Sequence, residues 1–280
     1  MQTTGTKFPN SLFQQRIVIN AIRTLFVGST LGVTCSISAF AAPGLLVQGA
    51  GNSATVDGQT IVGTGDVNHG VQAEDGGSIV LTNSTATSSG ILANGVMAHN
   101  GSSITLNNTT IRASQNGSYG LVGSSGSNVN ASNVSVSTQG NVHTYQFNGQ
   151  DRVHGSEGVA AEDGATVTID GVNTISTTGN FGGGLLALID LENKPTLLQA
   201  SGKTTISTTG EYAPGAEAFH DGARIEASGL DVNTKGRISY GAYAHGGDIS
   251  VNDSSFVTEG GSGVGLLAEG ETANLSPANV

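Results

Sequence analysis

The 280-residue chain carries 43 glycines, no tryptophan, 8 phenylalanines, 5 tyrosines and 5 prolines, with a formal net charge of −11. Glycine without a three-residue period or abundant proline excludes collagen, and a chain rich in Gly, Ser, Thr and Asn is a poor helix former. Its acidity argues against nucleic acid and against docking on anionic lipid, while periodic placement of the 36% hydrophobic residues leaves an all-β chain rather than a disordered one.

Lys7, Arg16 and Arg23 are the only charged residues up to Ala41. An apolar segment from Leu25 to Phe40 follows them and closes on Ala39-Phe40-Ala41, a small-x-small pattern. Residues 1–41 therefore read as a secretory signal peptide cleaved after Ala41. Ser29, Thr30, Thr34, Ser36 and Ser38 interrupt the segment, which is also short for a membrane span. The lone cysteine, Cys35, falls inside it, so residues 42–280 contain none and no disulfide staples them. Those residues keep all 21 acidic groups and, without the three basic residues above, 7 of the 10 basic ones, a net charge of −14.

Leu45 to Gly65 reads as a first, short coil with runs at Ala54-Thr55-Val56 and Thr60-Ile61-Val62. A recurring segment then begins at Gly70-Val71-Gln72-Ala73 and returns at Gly95, Gly120, Gly158, Gly184, Gly215, Gly241 and Gly265. The spacings are 25, 25, 38, 26, 31, 26 and 24 residues. Each unit adds two more short alternating runs, such as Ser78-Ile79-Val80-Leu81 and Thr110-Ile111-Arg112-Ala113. Alternation over three to five positions is the period of a strand with one buried face. None of these runs can bury that face alone, and a coil of about 25 residues pairs each with its copy one turn on.

The fold expected is a single-stranded right-handed parallel β-helix over residues 42–280, with about eight complete coils and one begun at Gly265. Val71, Val96, Leu121, Val159 and Leu185 should form one internal stack, and Ile79, Ile104, Val129 and Val167 a second. Ile111, Val134, Ile175 and Ile206 should form a third. Because the strands alternate instead of running continuously apolar, their outer face should be solvent. Asp75-Gly76, Asn100-Gly101, Asp163-Gly164 and Asp221-Gly222 mark a corner that needs positive φ.

Two units exceed the repeat length. The coil from Gly120 to Gly158 carries an insertion, Gly140 to Gly155, with Asn148-Gly149 as a turn, so a small protruding hairpin is expected. His143, Tyr145, Phe147, Asp151, Arg152 and His154 are its candidate ligand contacts, since aromatic and arginine side chains favour recognition surfaces. The second insertion, Ile189 to Thr196, should pack Leu191 back on the coil while Pro195 fixes a turn.

No catalytic triad, His-Glu-x-x-His, nucleophile elbow or phosphate loop is present, and no metal or cofactor is implied. Glu74-Asp75 and Glu162-Asp163 share a corner but stand three coils apart, about 14 Å at strand spacing and too far for a glycosidase pair. A Glu74, His99, Ser124, Glu162 column can be drawn between them, on what reads as a solvated turn.

A long signal peptide, Gly-Val-x-Ala coils without cysteine, and endings such as Ile175-Ser176-Thr177-Thr178-Gly179 and Ile206-Ser207-Thr208-Thr209-Gly210 resemble the passenger of Gram-negative autotransporters, the pertactin-like group in particular. The resemblance spans Leu45 to Gly270. It implies export by type V secretion through a C-terminal outer-membrane translocator barrel, and action at the cell surface, often as a virulence-associated adhesin for a host surface protein or glycan. The barrel's strands do not follow here, and Ala273-Asn274-Leu275-Ser276 stops partway through a coil, which reads as a truncated passenger. Without a translocator it would remain periplasmic. A β-helical polysaccharide lyase or hydrolase is the main alternative, and a structural stalk the third.

Overall fold

The computed structural model describes residues 42–147, 150–190 and 192–280. The signal-peptide reading, its cleavage after Ala41 and the packing of Leu191 lie outside these residues. Within them the chain has no helix and winds as a parallel β-solenoid of about nine turns, about 26 residues per turn. Three sheets run its length. The first stacks nine strands from Leu45–Gln48 to Val264–Glu269. The second stacks nine from Ser53–Asp57 to Asn274–Ala278, and the third eight from Thr60–Gly63 to Ser255–Thr258.

The register follows the sequence repeat. Val71, Val96, Leu121, Val159 and Leu185 pair in succession along the first sheet, and all five are fully buried. Ile79, Ile104, Val129, Val167 and Leu198 do the same in the second. The third stack differs by two residues from the expected one. Val136, not Val134, joins Ile111, Ile175 and Ile206. Val134 is buried one step before its strand, where its N–H donates to Asn173 Oδ1 at 3.0 Å. A shift of two keeps the same side inward, so alternation alone does not separate the two choices.

The corners explain the glycine and asparagine. Asp75, Asn100, Ser125 and Asp163 lie at φ 53°, 51°, 50° and 45°, each followed by a positive-φ glycine. A different corner places bulkier residues in the same region: Leu92, Phe181, Tyr212 and Ile238 have φ between 54° and 58°. Each donates its N–H to a carbonyl of the next coil, as Phe181 does to Glu211 and Tyr212 to Arg237. Asparagines brace this corner. Asn116 Oδ1 accepts from Asn141 N, Asn141 Oδ1 from Asn180 N, and Asn180 Oδ1 from Glu211 N, all at 2.9 to 3.0 Å.

The first sheet departs from a solvated outer face. Along it Met97, Val122, Ala160, Leu186, Glu217 and Tyr243 pair in sequence on the side opposite the core column. Val122, Ala160 and Leu186 are 1%, 0% and 6% exposed and form a second apolar cluster with Tyr119. The cover comes from the Gly140 to Gly155 insertion. It is an antiparallel hairpin in which His143 pairs with His154 and Phe147 with Gln150. Asn141 and Gly155 tie its base to neighbouring coils.

Candidate functional site

The hairpin, the bulky corner and the outer face of the first sheet enclose a groove of about 390 Å³. Val142, Val153 and Gly155 form its hairpin side. Leu186 and Leu188 form the floor, Phe181 and Tyr212 the opposite wall, and Phe219 an end. Phe181 and Tyr212 stack at 5.0 Å with an interplanar angle of 11°, and remain 46% and 39% exposed. Tyr119, at the hairpin end, is 2% exposed and stacks on His154 at 4.1 Å. Four of the five tyrosines lie along this face, and Tyr145 lies on the hairpin above it, edge-on to His154 at 6.5 Å.

Carboxyl groups interrupt the apolar lining. Glu157, in the link from hairpin to strand Val159–Glu162, is 8% exposed. Its Oε2 has no hydrogen-bond partner among the described residues. Its Oε1 lies against Gly155, where an added Cβ would meet both it and the backbone carbonyl oxygen of Phe181, the latter at 2.6 Å, so glycine is needed there. Glu217 enters the same groove from strand Ala216–Phe219. Glu162 lies beside them and accepts a hydrogen bond from the Tyr119 hydroxyl.

Burial sets the electrostatics here. It pushes the Glu157 carboxyl well above the usual range, with Glu217 and Glu162 adding to the rise. Glu217 is pushed up to about 7 by burial alone. Glu162 also rises to about 7, by burial against the opposing bond from Tyr119. The same loss of solvent lowers His154 to about 4, although backbone carbonyls partly counter it. Removing a carboxylate from water disfavours its charged form unless a cation or donors compensate. A ligand supplying positive charge would restore that compensation.

The expected site residues divide. His154 and Tyr145 sit over Tyr119 at the groove's edge. His143 pairs with His154 at the hairpin base, its Cβ against Gly117. Asp151 is exposed and accepts a hydrogen bond from Gln146 across the hairpin. For Arg152 and Phe147 only the backbone places them, opposite Tyr145 and Gln150. The Glu–His–Ser column is partly realised, with His99 Nδ1 and Ser124 Oγ 3.0 Å apart, but Glu162 is half-buried and bonded to Tyr119 rather than on a solvated turn.

No protein-family model, curated protein or solved structure matches this chain. Function is therefore argued from the groove itself. Sequence reasoning missed Tyr119, Glu157 and Glu217. The available signal was a run of apolar residues at outward positions, Val122, Ala160, Leu186 and Leu188, in the coils that flank the insertion.

Proposed function

We propose that the protein is an exported, non-enzymatic binding module of the autotransporter-passenger type, acting at a cell surface or outside the cell and using the hairpin-covered groove for recognition. One observation carries the reading: the hairpin departs from the repeat and covers an aromatic-lined groove holding a buried carboxyl with an unpartnered oxygen. Solenoids place function at such departures, and buried polar groups without partners call for an explanation. A host surface protein is the partner class this chemistry favours. A translocator supplied in the same product or by another would set whether it acts outside the cell or in the periplasm.

The test is saturable binding of the full chain to cultured host cells and to immobilised matrix proteins. The comparison is the Phe181→Asn, Tyr212→Asn double variant. Asparagine tolerates the left-handed backbone at both positions, so the variant removes the wall without straining the corner. Binding lost in the double variant, at an unchanged melting temperature, supports the reading. Binding that survives there, or no specific binding at all, removes it.

A second reading is a polysaccharide lyase or hydrolase. It is favoured by three carboxyls with raised proton affinity on one outer face, Glu157, Glu162 and Glu217, because a general acid works best with a pKa near the working pH. New chain ends appearing when the protein is incubated with pectins and other polyanions, and absent with Glu157→Gln, would select it.

A further inference from the structure

We infer that the groove holds a lysine side chain of a protein partner, its tetramethylene stem against the aromatic and leucine walls and its ammonium group between Glu157 and Glu217. This rests on the groove being the recognition surface and goes on to name what it recognises.

Three independent features lead there. The first is the unpartnered Oε2 of Glu157, a residue that lines the groove and is 8% exposed, with its other oxygen against Gly155. A buried carboxyl oxygen without a hydrogen-bond partner is costly, and an ammonium offers three donors to end that deficit. The second is charge. Two carboxyls face the groove, and the described residues lining it include no lysine or arginine. The third is the wall. Phe181, Tyr212 and Phe219 present rings, and Leu186 and Leu188 a hydrocarbon floor.

Other ligand classes fit less well. A hydrated metal ion would meet mostly hydrocarbon, and no group of three or more His, Cys, Asp or Glu among the described residues could hold one. An anion would meet two carboxyls. A sugar ring would set hydroxyls against the leucine floor without supplying charge. A flexible apolar stem ending in a cation satisfies both parts of the lining, since ring faces also attract ammonium groups.

Another depression of similar volume, about 390 Å³, lies on the second sheet and is lined by Thr168, Gln199, Ser201, Glu226, Ser250 and Asn252 among others. It lacks both the aromatic wall and an unpartnered buried carboxyl, and serves as the internal control.

Calorimetric titration of the full chain at pH 7.5 tests the inference, with Nα-acetyl-lysine methylamide as probe. Its Nζ-acetylated form keeps the stem and loses the charge, and glucosamine supplies an ammonium on a polar ring. The expected result is saturable one-to-one binding of the lysine probe, with the acetylated form and glucosamine each at least tenfold weaker. Glu157→Gln and Glu217→Gln should each weaken the lysine probe about tenfold, and Glu226→Gln should leave it unchanged. Melting curves recorded alongside show that each variant is folded.

Equal binding of the acetylated probe overturns the inference, as does undiminished binding in both groove variants or no saturable binding to the folded chain. Tighter binding of glucosamine replaces the protein partner by an amino-sugar glycan. If the lysine probe fails while the Phe181→Asn, Tyr212→Asn variant still loses cell binding, the groove is the site and the ligand class is wrong.

Discussion

Glu217→Gln should make the protein more stable at pH 8 and leave it nearly unchanged at pH 4.5. The Glu217 carboxyl stands at about 7 instead of 4.5 because burial disfavours its charge. Its folded pKa lies above its unfolded value, so the folded state binds the extra proton between pH 4.5 and 7. Stability therefore falls as pH rises through that window, and the penalty is complete above it. Raising the carboxyl from 4.5 to about 7 corresponds to about 3.4 kcal/mol, which partial exposure of the side chain trims to about 2 kcal/mol. Glutamine keeps the shape and cannot ionise, so it avoids the penalty. His69 and His154, both lowered to about 4, give the opposite slope as pH falls from 6.5, but they are common to both proteins and cancel in the difference. Glu157 and Tyr243 face Glu217 and are both raised in part by its charge; removing that charge relieves Glu157 as well, which adds to the gain at pH 8. Urea unfolding at pH 4.5 and pH 8, followed by circular dichroism, measures the two differences. A gain of the same size at both pH values, or a loss at pH 8, would refute the argument that an uncompensated buried charge is present.

Val159→Asp should be severely destabilising, by about 4 kcal/mol or more, because Val159 is fully buried and a carboxylate there has no partner. Thr168→Asp, on the outer side of its strand, should cost less than about 1 kcal/mol in the same thermal melts, and equal losses would contradict the strand phase. Gly210→Ala should prevent normal stacking, since its Cβ would lie 1.8 Å from the Gly179 carbonyl oxygen. Gly101→Ala meets nothing within 4 Å and should cost only about 1 kcal/mol, for its φ of +70°. Deleting Thr144 to Val153 and closing the gap with a short turn should change stability by about 1 to 2 kcal/mol and abolish probe binding, read by denaturation and calorimetry. Removing Asn141 and His154 as well should cost more, because Asn141 belongs to the corner ladder and His154 covers Tyr119.

The repeat makes most of the fold legible in the sequence. Gly-Val-x-Ala units at nearly constant spacing fix which residues pair, and the Val71 and Ile79 columns follow directly. The hairpin was equally readable, because about 13 extra residues with Asn148-Gly149 at their centre have few ways to leave and rejoin a coil. Val134 was misplaced because two valines on the same side of one run satisfy the pattern equally. The groove was hidden for a different reason. Whether Leu186 faces water depends on where the hairpin folds down, and that is set by the contacts of Tyr119, His154 and Gly155 between coils. Glu217 sits in a column whose preceding member is Leu186 and whose next is Tyr243, so nothing local marks it as partly covered. Long-range cover, absent from any single repeat, turns an ordinary outward glutamate into a site.

The most direct test is the protonation state of Glu157, read from its side-chain carboxyl ¹³C shift at pH 6 with and without saturating Nα-acetyl-lysine methylamide. Burial holds this carboxyl well above the ordinary range, so the free protein should show the neutral acid. Ammonium binding should then release the proton and move the resonance to the carboxylate position. An ionised Glu157 in the free protein, or a neutral one that the bound probe leaves unchanged, would contradict the account.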